Sequence, residues 1–269
     1  MSAADKQPDW QQIAEKFDLW LPQLQSVGDD LLQALQASPG DLILDVASGT
    51  GEPALTLAQQ NPEVTVVGVD AAPAMATVAQ GKVDAQGLTN ISFTSMAAEM
   101  LDFPDACFDK ILCRFGVMLF ADPLQGLREM HRVLKPGGRV ALAVWSTEET
   151  MTTMHWAQQV LADKLPEDLH PPLKKATSLA PDGVLDDLIL DAGFNEYEIQ
   201  ELPLFYQFGS FEEYWQLIEA SDIMKMQFDA LSPEMRNQVR DEVALLAQQY
   251  QEEDGLIIPH AYLLAVAVK

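Results

Sequence analysis

The sequence predicts an α/β fold in which helices cover a doubly wound, mostly parallel sheet. Short apolar runs rich in β-branched residues alternate with helix-patterned segments between residues 40 and 146, which is typical of this class. A glycine turn directly follows the first run, and Pro136-Gly137-Gly138 marks the turn before the fifth. The predicted strands span 42–47, 64–70, 91–95, 108–114 and 139–145, and the predicted helices span 53–60, 73–81 and 122–134.

The segment before this core is predicted to be helical. Trp10, Phe17 and Trp20 recur at helical spacing, which indicates two amphipathic helices over 9–37, broken near Pro22. Such a segment can pack on the sheet or cover a ligand, and the pattern leaves both roles open.

After the fifth strand the pattern changes. Residues 149–163 and 181–192 are predicted to be helical, and 197–202 to form a sixth strand. A long helical stretch over 210–250 follows, and a β-like run over 261–268 ends the chain. The segment between the sixth strand and this last run is much longer than the connection that two strands of one sheet need. Its additional residues therefore predict a helical cap.

The composition limits the partners. The 269 residues are 48% apolar and carry a formal net charge of −25, and the largest basic cluster is Lys174-Lys175. Nucleic-acid binding needs a basic surface, and an anionic membrane repels so acidic a chain, so neither partner is expected. The acidity favours solubility, with attraction of a cationic substrate as the alternative.

The cysteines and the apolar runs predict a reducing, cytoplasmic location. Cys107 and Cys113 are the only cysteines, and Cys113 falls in a predicted buried strand, so no disulfide is expected. The first residues lack a charged-then-apolar signal pattern, and the longest apolar runs are too short to span a bilayer.

The glycine turn carries the strongest functional signal. Asp45 lies in the first strand, Gly49 and Gly51 follow it, and Asp70 ends the second strand. Glycines let the chain turn sharply near a ligand, and an acid after the second strand can accept the hydroxyls of a ribose. An acid before the glycines suits a cationic or zwitterionic ligand. S-adenosylmethionine fits all three features, although Gly-x-Gly-x-x-Ala also occurs in dinucleotide enzymes.

Four motifs in the same order resemble the class I S-adenosylmethionine-dependent methyltransferases. They are Leu44-Asp-Val-Ala-Ser-Gly-Thr-Gly51, Val67-Gly-Val-Asp70, Phe108-Asp-Lys-Ile-Leu-Cys-Arg-Phe115 and Glu129-Met-His-Arg-Val-Leu-Lys-Pro-Gly-Gly-Arg-Val140. The resemblance covers roughly residues 40–146 and is nearest to the small-molecule enzymes of quinone biosynthesis. It implies a Rossmann-like, seven-stranded sheet whose last strand lies antiparallel beside the sixth.

The resemblance also implies a division of the single domain, 1–269. Its expected parts are an N-terminal helical lid over 1–38, a cofactor-binding core over 40–146, variable helices and strand six over 147–202, a helical cap over 203–256 and a last strand over 257–269.

By the same resemblance, S-adenosylmethionine is the expected cofactor and S-adenosylhomocysteine the product. The expected cofactor-binding residues are Asp45, Ala47, Gly49, Gly51, Asp70, Ala71, Met75, Ala98, Glu99, Arg114 and Phe115. One position departs from the family: Ala97 stands where many relatives have an acid that contacts the adenine amine.

The methyl acceptor is expected to be a small, lipophilic or aromatic metabolite, methylated on oxygen or carbon. Aromatic residues of the lid and the cap are the candidates for binding it, namely Phe17, Trp20, Tyr206 and Trp215. His155, after the fifth strand, is the candidate general base. No metal-ligand spacing occurs, so no metal is expected. The rival hypotheses are an amine N-methyltransferase, a non-catalytic S-adenosylmethionine-binding protein and a nicotinamide-dependent oxidoreductase; oligomeric state is left open.

Overall fold

A computed structural model describes residues 9–269, which form a mostly parallel sheet flanked by helices. The sheet has eight strands: β1 (Leu42–Val46), β2 (Thr65–Asp70), β3 (Ile91–Ser95), β4 (Phe108–Arg114), β5 (Leu134–Trp145), β6 (Glu196–Phe208), β7 (Gln251–Glu252) and β8 (Gly255–Val268). Their order is β3-β2-β1-β4-β5-β8-β6, with the short β7 paired to β8. The expected seven-stranded sheet is thus present with one extra two-residue strand.

Eleven α-helices connect and flank these strands within the described range. They are α1 (Trp10–Ile13), α2 (Leu21–Leu35), α3 (Ala54–Gln60), α4 (Pro73–Gln86), α5 (Pro123–Val133), α6 (Thr152–Leu161), α7 (Leu173–Ala176), α8 (Val184–Asp191), α9 (Phe211–Ala220), α10 (Lys225–Asp229) and α11 (Pro233–Ala247). A 3₁₀ helix, Phe17–Trp20, joins α1 to α2. The break therefore precedes Leu21, and Pro22 lies within the first turn of α2, where a missing N–H costs no helical hydrogen bond.

Strands β1 to β5 pair in parallel, so their carboxyl ends meet at one edge of the sheet. This edge collects Asp45, Asp70 and Arg114 from three separate strands. In open α/β sheets, ligands bind at this edge.

Strand β8 runs antiparallel between β5 and β6. Its pairing with β5 stops at Trp145↔Tyr262, whereas its pairing with β6 continues to Phe208↔Leu256. The two strands therefore extend past the end of β5 as a two-stranded ribbon, formed by residues 203–208 and 256–261. This β6–β8 ribbon lies beyond the carboxyl edge and carries Tyr206 and His260.

The ribbon also corrects two predicted boundaries. Strand β6 continues to Phe208, not Leu202, and β8 begins at Gly255, not Ala261. Pro203 is tolerated because β6 is the edge strand, where a missing N–H breaks no ladder on the open side. The helices between β6 and β8 accordingly occupy 211–247.

Nowhere from residue 9 onward does a helix have the length and apolar character needed to cross a membrane.

Candidate active site

The turn after β1 is shaped by left-handed backbone conformations. Ala47, Gly49 and Gly51 have φ angles of 58°, 53° and 107°. A Cβ at Gly51 would lie 2.7 Å from Leu55 Cδ1, so only glycine fits there, whereas a Cβ at Gly49 would meet nothing within 4 Å. The turn is therefore packed below Gly51 and open at Gly49, which leaves space for a ligand against the backbone.

Asp45 is a buried carboxylate without a partner. Its side chain is 1% exposed, and neither of its oxygens has a hydrogen-bond donor among residues 9–269. Burial raises the pKa of Asp45 well above its usual value, while the positive charge of Arg114 opposes that rise. A buried, unpartnered carboxylate is costly, and a bound cation would relieve that cost.

The positive charge of Arg114 acts on Asp45, but the two side chains do not form an ion pair. It ends β4, and burial lowers the pKa of its guanidinium, while the charges of Asp45, Glu52 and Asp18 act in the opposite direction. Within the described residues, no carboxylate oxygen lies within 4.0 Å of it. The site thus holds a carboxylate and a guanidinium that do not neutralise each other.

The Asp70 carboxylate binds the backbone of the glycine turn and the backbone that follows β2. Its Oδ2 accepts a 2.8 Å hydrogen bond from the Gly49 N–H, and its Oδ1 accepts one of 2.8 Å from the Ala72 N–H. Burial raises the pKa of Asp70, and these two hydrogen bonds partly offset the rise. Each carboxylate oxygen keeps lone pairs that can accept ligand hydroxyls.

The other predicted cofactor residues differ in their exposure and in the groups that they contact. Ala71 is exposed, whereas Met75 is buried beneath α1 against Ile13. Ala98 is also buried. The Glu99 carboxylate caps a neighbouring loop, because its Oε1 accepts a 2.8 Å hydrogen bond from the Ala121 N–H.

The 3₁₀ helix before α2 lies over the glycine turn and is held there by Asp18. The Asp18 carboxylate accepts a hydrogen bond from the Thr50 hydroxyl and forms an ion pair with Lys82. Lys82 in turn donates a 2.8 Å hydrogen bond to the Thr50 carbonyl. We call Asp18, Thr50 and Lys82 the latch.

Two aromatic groups lie at the carboxyl edge. Phe115, with a φ of 57°, stacks on Trp145 with ring centroids 3.9 Å apart. Farther along the sheet, Trp20 packs against Tyr206 at 5.9 Å, and Tyr206 packs against His260 at 4.1 Å. The structure thus brings Trp20 and Tyr206 together.

The remaining two acceptor-side candidates lie elsewhere. Phe17 is half-buried and packs edge-on against Trp10 with ring centroids 6.0 Å apart. Trp215 is buried in α9 between Phe211 and Phe228.

His155 is not brought to this site. It lies on the exposed side of α6. A general base must be within hydrogen-bond reach of the proton it removes, and an exposed helical position does not favour that.

A second histidine, His260, packs against Tyr206 and lies one residue before the predicted last strand. It is 4% exposed, and its Nδ1 lies 3.2 Å from the Ile258 carbonyl, to which it donates. Its Nε2 then accepts from Thr153, whose hydroxyl lies 3.0 Å away. Burial lowers the pKa of His260 to about 4, so the ring is neutral at physiological pH. The apolar run Leu256-Ile-Ile258 was the available signal that the strand begins earlier.

From residue 9 to residue 269, no group of three or more His, Cys, Asp or Glu side chains is placed to hold a metal ion.

Comparison with known proteins identifies a family and a fold. The model of the ubiE/COQ5 methyltransferase family matches residues 28–203. A demethylmenaquinone methyltransferase from Deinococcus radiodurans is 44% identical over 137 residues, which cover 48% of this chain and 56% of that protein. One from Thermus thermophilus is 42% identical over 138 residues, covering 49% and 61%. The chain therefore spans little more than half the length of these curated relatives.

A solved structure supports the fold alone. Phosphoethanolamine N-methyltransferase 2 from Haemonchus contortus, in complex with S-adenosyl-L-methionine, superposes with a TM-score of 0.63 at 17% identity. The superposition covers 100% of this chain and 60% of that protein.

Proposed function

Because this chain belongs to the ubiE/COQ5 methyltransferase family, we propose that it transfers a methyl group from S-adenosylmethionine to a small lipophilic or aromatic metabolite. The acceptor atom is a carbon or an oxygen. The names of the curated relatives, demethylmenaquinone methyltransferases, favour a ring carbon of a quinol-type compound.

The observation that carries this proposal is the orphaned Asp45 carboxylate. No donor in residues 9–269 reaches either of its oxygens, although the group is buried. S-adenosylmethionine has an ammonium, which would pair with Asp45, and a carboxylate, which would pair with the Arg114 guanidinium. A nicotinamide dinucleotide has no primary ammonium and brings an anionic pyrophosphate, which a buried acid at this position would repel. The residues present therefore fit a zwitterionic amino-acid group.

The glycine turn and Asp70 suit the nucleoside end. The open backbone at Gly49 leaves room for the ligand, and the free lone pairs of Asp70 suit ribose hydroxyls. Ala97 supplies no side-chain acceptor for the adenine amine, so backbone groups of the same segment have to serve that edge.

The bound cofactor supplies a methyl group already activated on a sulfonium. The protein's contribution is therefore to orient the acceptor and to exclude water. The latch closes the site from the side of the glycine turn, and the β6–β8 ribbon borders it beyond β5. Because His155 is exposed, the proposed catalysis depends on positioning the methyl donor and the acceptor and uses no dedicated histidine base.

The test is ligand-dependent thermal stability, followed by turnover. S-adenosylhomocysteine should raise the melting temperature, because a ligand bound only by the native state stabilises it, and NAD and NADP should not. Transfer of labelled methyl from S-adenosylmethionine to lysate metabolites then separates an enzyme from a non-catalytic binding protein. A shift with NAD and none with S-adenosylhomocysteine would refute the proposal.

A further inference from the structure

Trp20 presents a buried hydrogen-bond donor with no acceptor. The side chain is 9% exposed, and its indole Nε1 is inaccessible to solvent and unpartnered in the described part of the chain. An indole N–H can only donate, and leaving it unpaired in a buried position costs free energy. An acceptor atom from outside the protein would remove that cost.

The position of Trp20 along the sheet indicates which ligand supplies this atom. Its ring packs on Tyr206 of the β6–β8 ribbon. Trp20 is also the last residue of the 3₁₀ helix that lies over the glycine turn, so it lies between that turn and the ribbon. Asp45, which would hold the amino-acid end of the cofactor, is on β1. The proposed contacts of the cofactor use Asp45, Arg114 and Asp70, which leaves the Trp20 N–H for the methyl acceptor.

The neighbouring polar groups of the protein do not satisfy the indole. Both ring nitrogens of His260 are occupied, Nδ1 by the Ile258 carbonyl and Nε2 by Thr153. The two rings of Tyr206 and His260, 4.1 Å apart and inclined by 32°, form an aromatic wall beside the indole.

We infer that the Trp20 indole N–H donates a hydrogen bond to an oxygen of the methyl acceptor, whose ring packs beside Tyr206. This inference rests on the proposed function and narrows its acceptor. A hydroxyl or carbonyl oxygen has a lone pair for the indole, whereas a protonated amine has none. Trp20 thus selects an oxygenated ring over a cationic amine, although the chain is strongly acidic.

The experiment measures binding of 1,4-naphthalenediol, kept reduced under anaerobic conditions, to the S-adenosylhomocysteine complex by calorimetry. Two variants remove the donor: Trp20→Phe, and a protein carrying 3-benzothienylalanine at position 20, which keeps the bicyclic shape and replaces the N–H with sulfur. Loss of one neutral hydrogen bond should weaken naphthalenediol binding by about three- to tenfold. Affinity for S-adenosylhomocysteine should stay the same.

Trp156 provides the matched control. It is 4% exposed and packs among aromatic rings, edge-on to Tyr214, so Trp156→Phe and the same analogue at position 156 remove an equivalent side chain away from the site. Both should bind naphthalenediol like the wild type.

The outcomes separate this inference from the proposed function. If the wild type does not bind S-adenosylhomocysteine, the proposed function fails. If it does, three results overturn the role of Trp20 alone: no binding of naphthalenediol to the wild type, equal binding by the position-20 analogue protein, or weakened binding of S-adenosylhomocysteine, which would assign the indole to the cofactor.

Discussion

At the scale of single residues, the site is defined by groups whose hydrogen-bonding capacity the protein leaves unused. Among the described residues, Asp45 is buried without a hydrogen-bond donor, and Arg114 is half-buried without an ion-pair partner. Such groups cost stability in the free protein and gain interactions when a complementary ligand binds. When one of these two side chains is neutralised, the free protein should therefore become more stable, and its affinity for the ligand should fall.

Asp45→Asn tests this opposition. We expect at least about a tenfold loss of S-adenosylhomocysteine affinity by calorimetry, because a charge-assisted hydrogen bond to the ammonium is lost. The melting temperature of the free protein should stay the same or rise, because a buried charge is removed. Asp41→Asn is the control, since Asp41 precedes β1 and its side chain accepts a hydrogen bond from the Ser38 N–H. Unchanged affinity in Asp45→Asn would remove this residue from the site.

The raised pKa of Asp45 adds a pH dependence. Pairing with an ammonium favours the ionised form, so binding near the raised pKa releases a proton, and affinity should increase as the pH rises through it. Calorimetry in buffers of different ionisation enthalpy measures the number of protons released on binding. This proton release should disappear in Asp45→Asn.

His155→Ala should have little effect on methyl transfer. The residue is exposed on α6, so single-turnover rates at saturating donor should fall by less than about a fewfold, whereas loss of a general base costs roughly 10²–10⁴-fold. A loss above about 10²-fold, together with loss of the acidic limb of the pH profile, would restore the base role.

At the scale of secondary-structure elements, the N-terminal segment is fastened to the glycine turn by the latch. The Asp18 side chain joins the 3₁₀ helix to Thr50 and to Lys82 of α4. We expect a ligand bound beneath this segment to leave when these contacts open.

Asp18→Asn should therefore accelerate dissociation of S-adenosylhomocysteine by at least about threefold, because a charged hydrogen bond and an ion pair are weakened. Stopped-flow displacement measures the rate. Asp229→Asn is the matched control: it makes the same change in an ion-paired surface acid that is bound to Lys225 and is not part of the latch. Equal rates in the two variants would show that the latch does not retain the ligand.

At the scale of the whole molecule, burial of His260 makes folding depend on pH. The pKa of His260 is about 4 in the folded protein, against about 6.5 in an unfolded chain. Between these two pKa values, His260 binds a proton in the unfolded chain but not in the folded protein. Its contribution to the free energy of unfolding is therefore fully present above the unfolded-state pKa and is lost as the pH falls towards the folded-state pKa. The size of this contribution is about 3 kcal/mol.

His260→Gln should flatten this loss. Chemical denaturation of the wild type between about pH 7 and pH 4 should show the decline, and the variant should show less of it, even if it is less stable throughout. Parallel curves would mean that His260 does not stay neutral in the folded protein.

The sequence by itself determined the central architecture and the position of the glycine turn. Strands β1 to β4 lie within one residue of their predicted bounds. Their apolar periodicity and the glycine and proline turns are local signals that packing did not override. Asp45, Gly49, Gly51 and Asp70 lie at the predicted strand ends and turn for the same reason, while their role in binding a cofactor stays a prediction.

Only the tertiary structure decided which side chains face the site. Trp20 and Tyr206 are far apart in sequence, and their contact depends on how the first helices pack on the β6–β8 ribbon. The ribbon itself was missed because Pro203 and Pro259 interrupt the strand pattern. Both are tolerated because Pro203 is on the edge strand and Pro259 lies past the end of β5, so each leaves one side of its strand free of a ladder. Periodicity along the chain carries no information on strand pairing at that distance, and so it could not show that His260 packs against Tyr206 or that His155 is exposed.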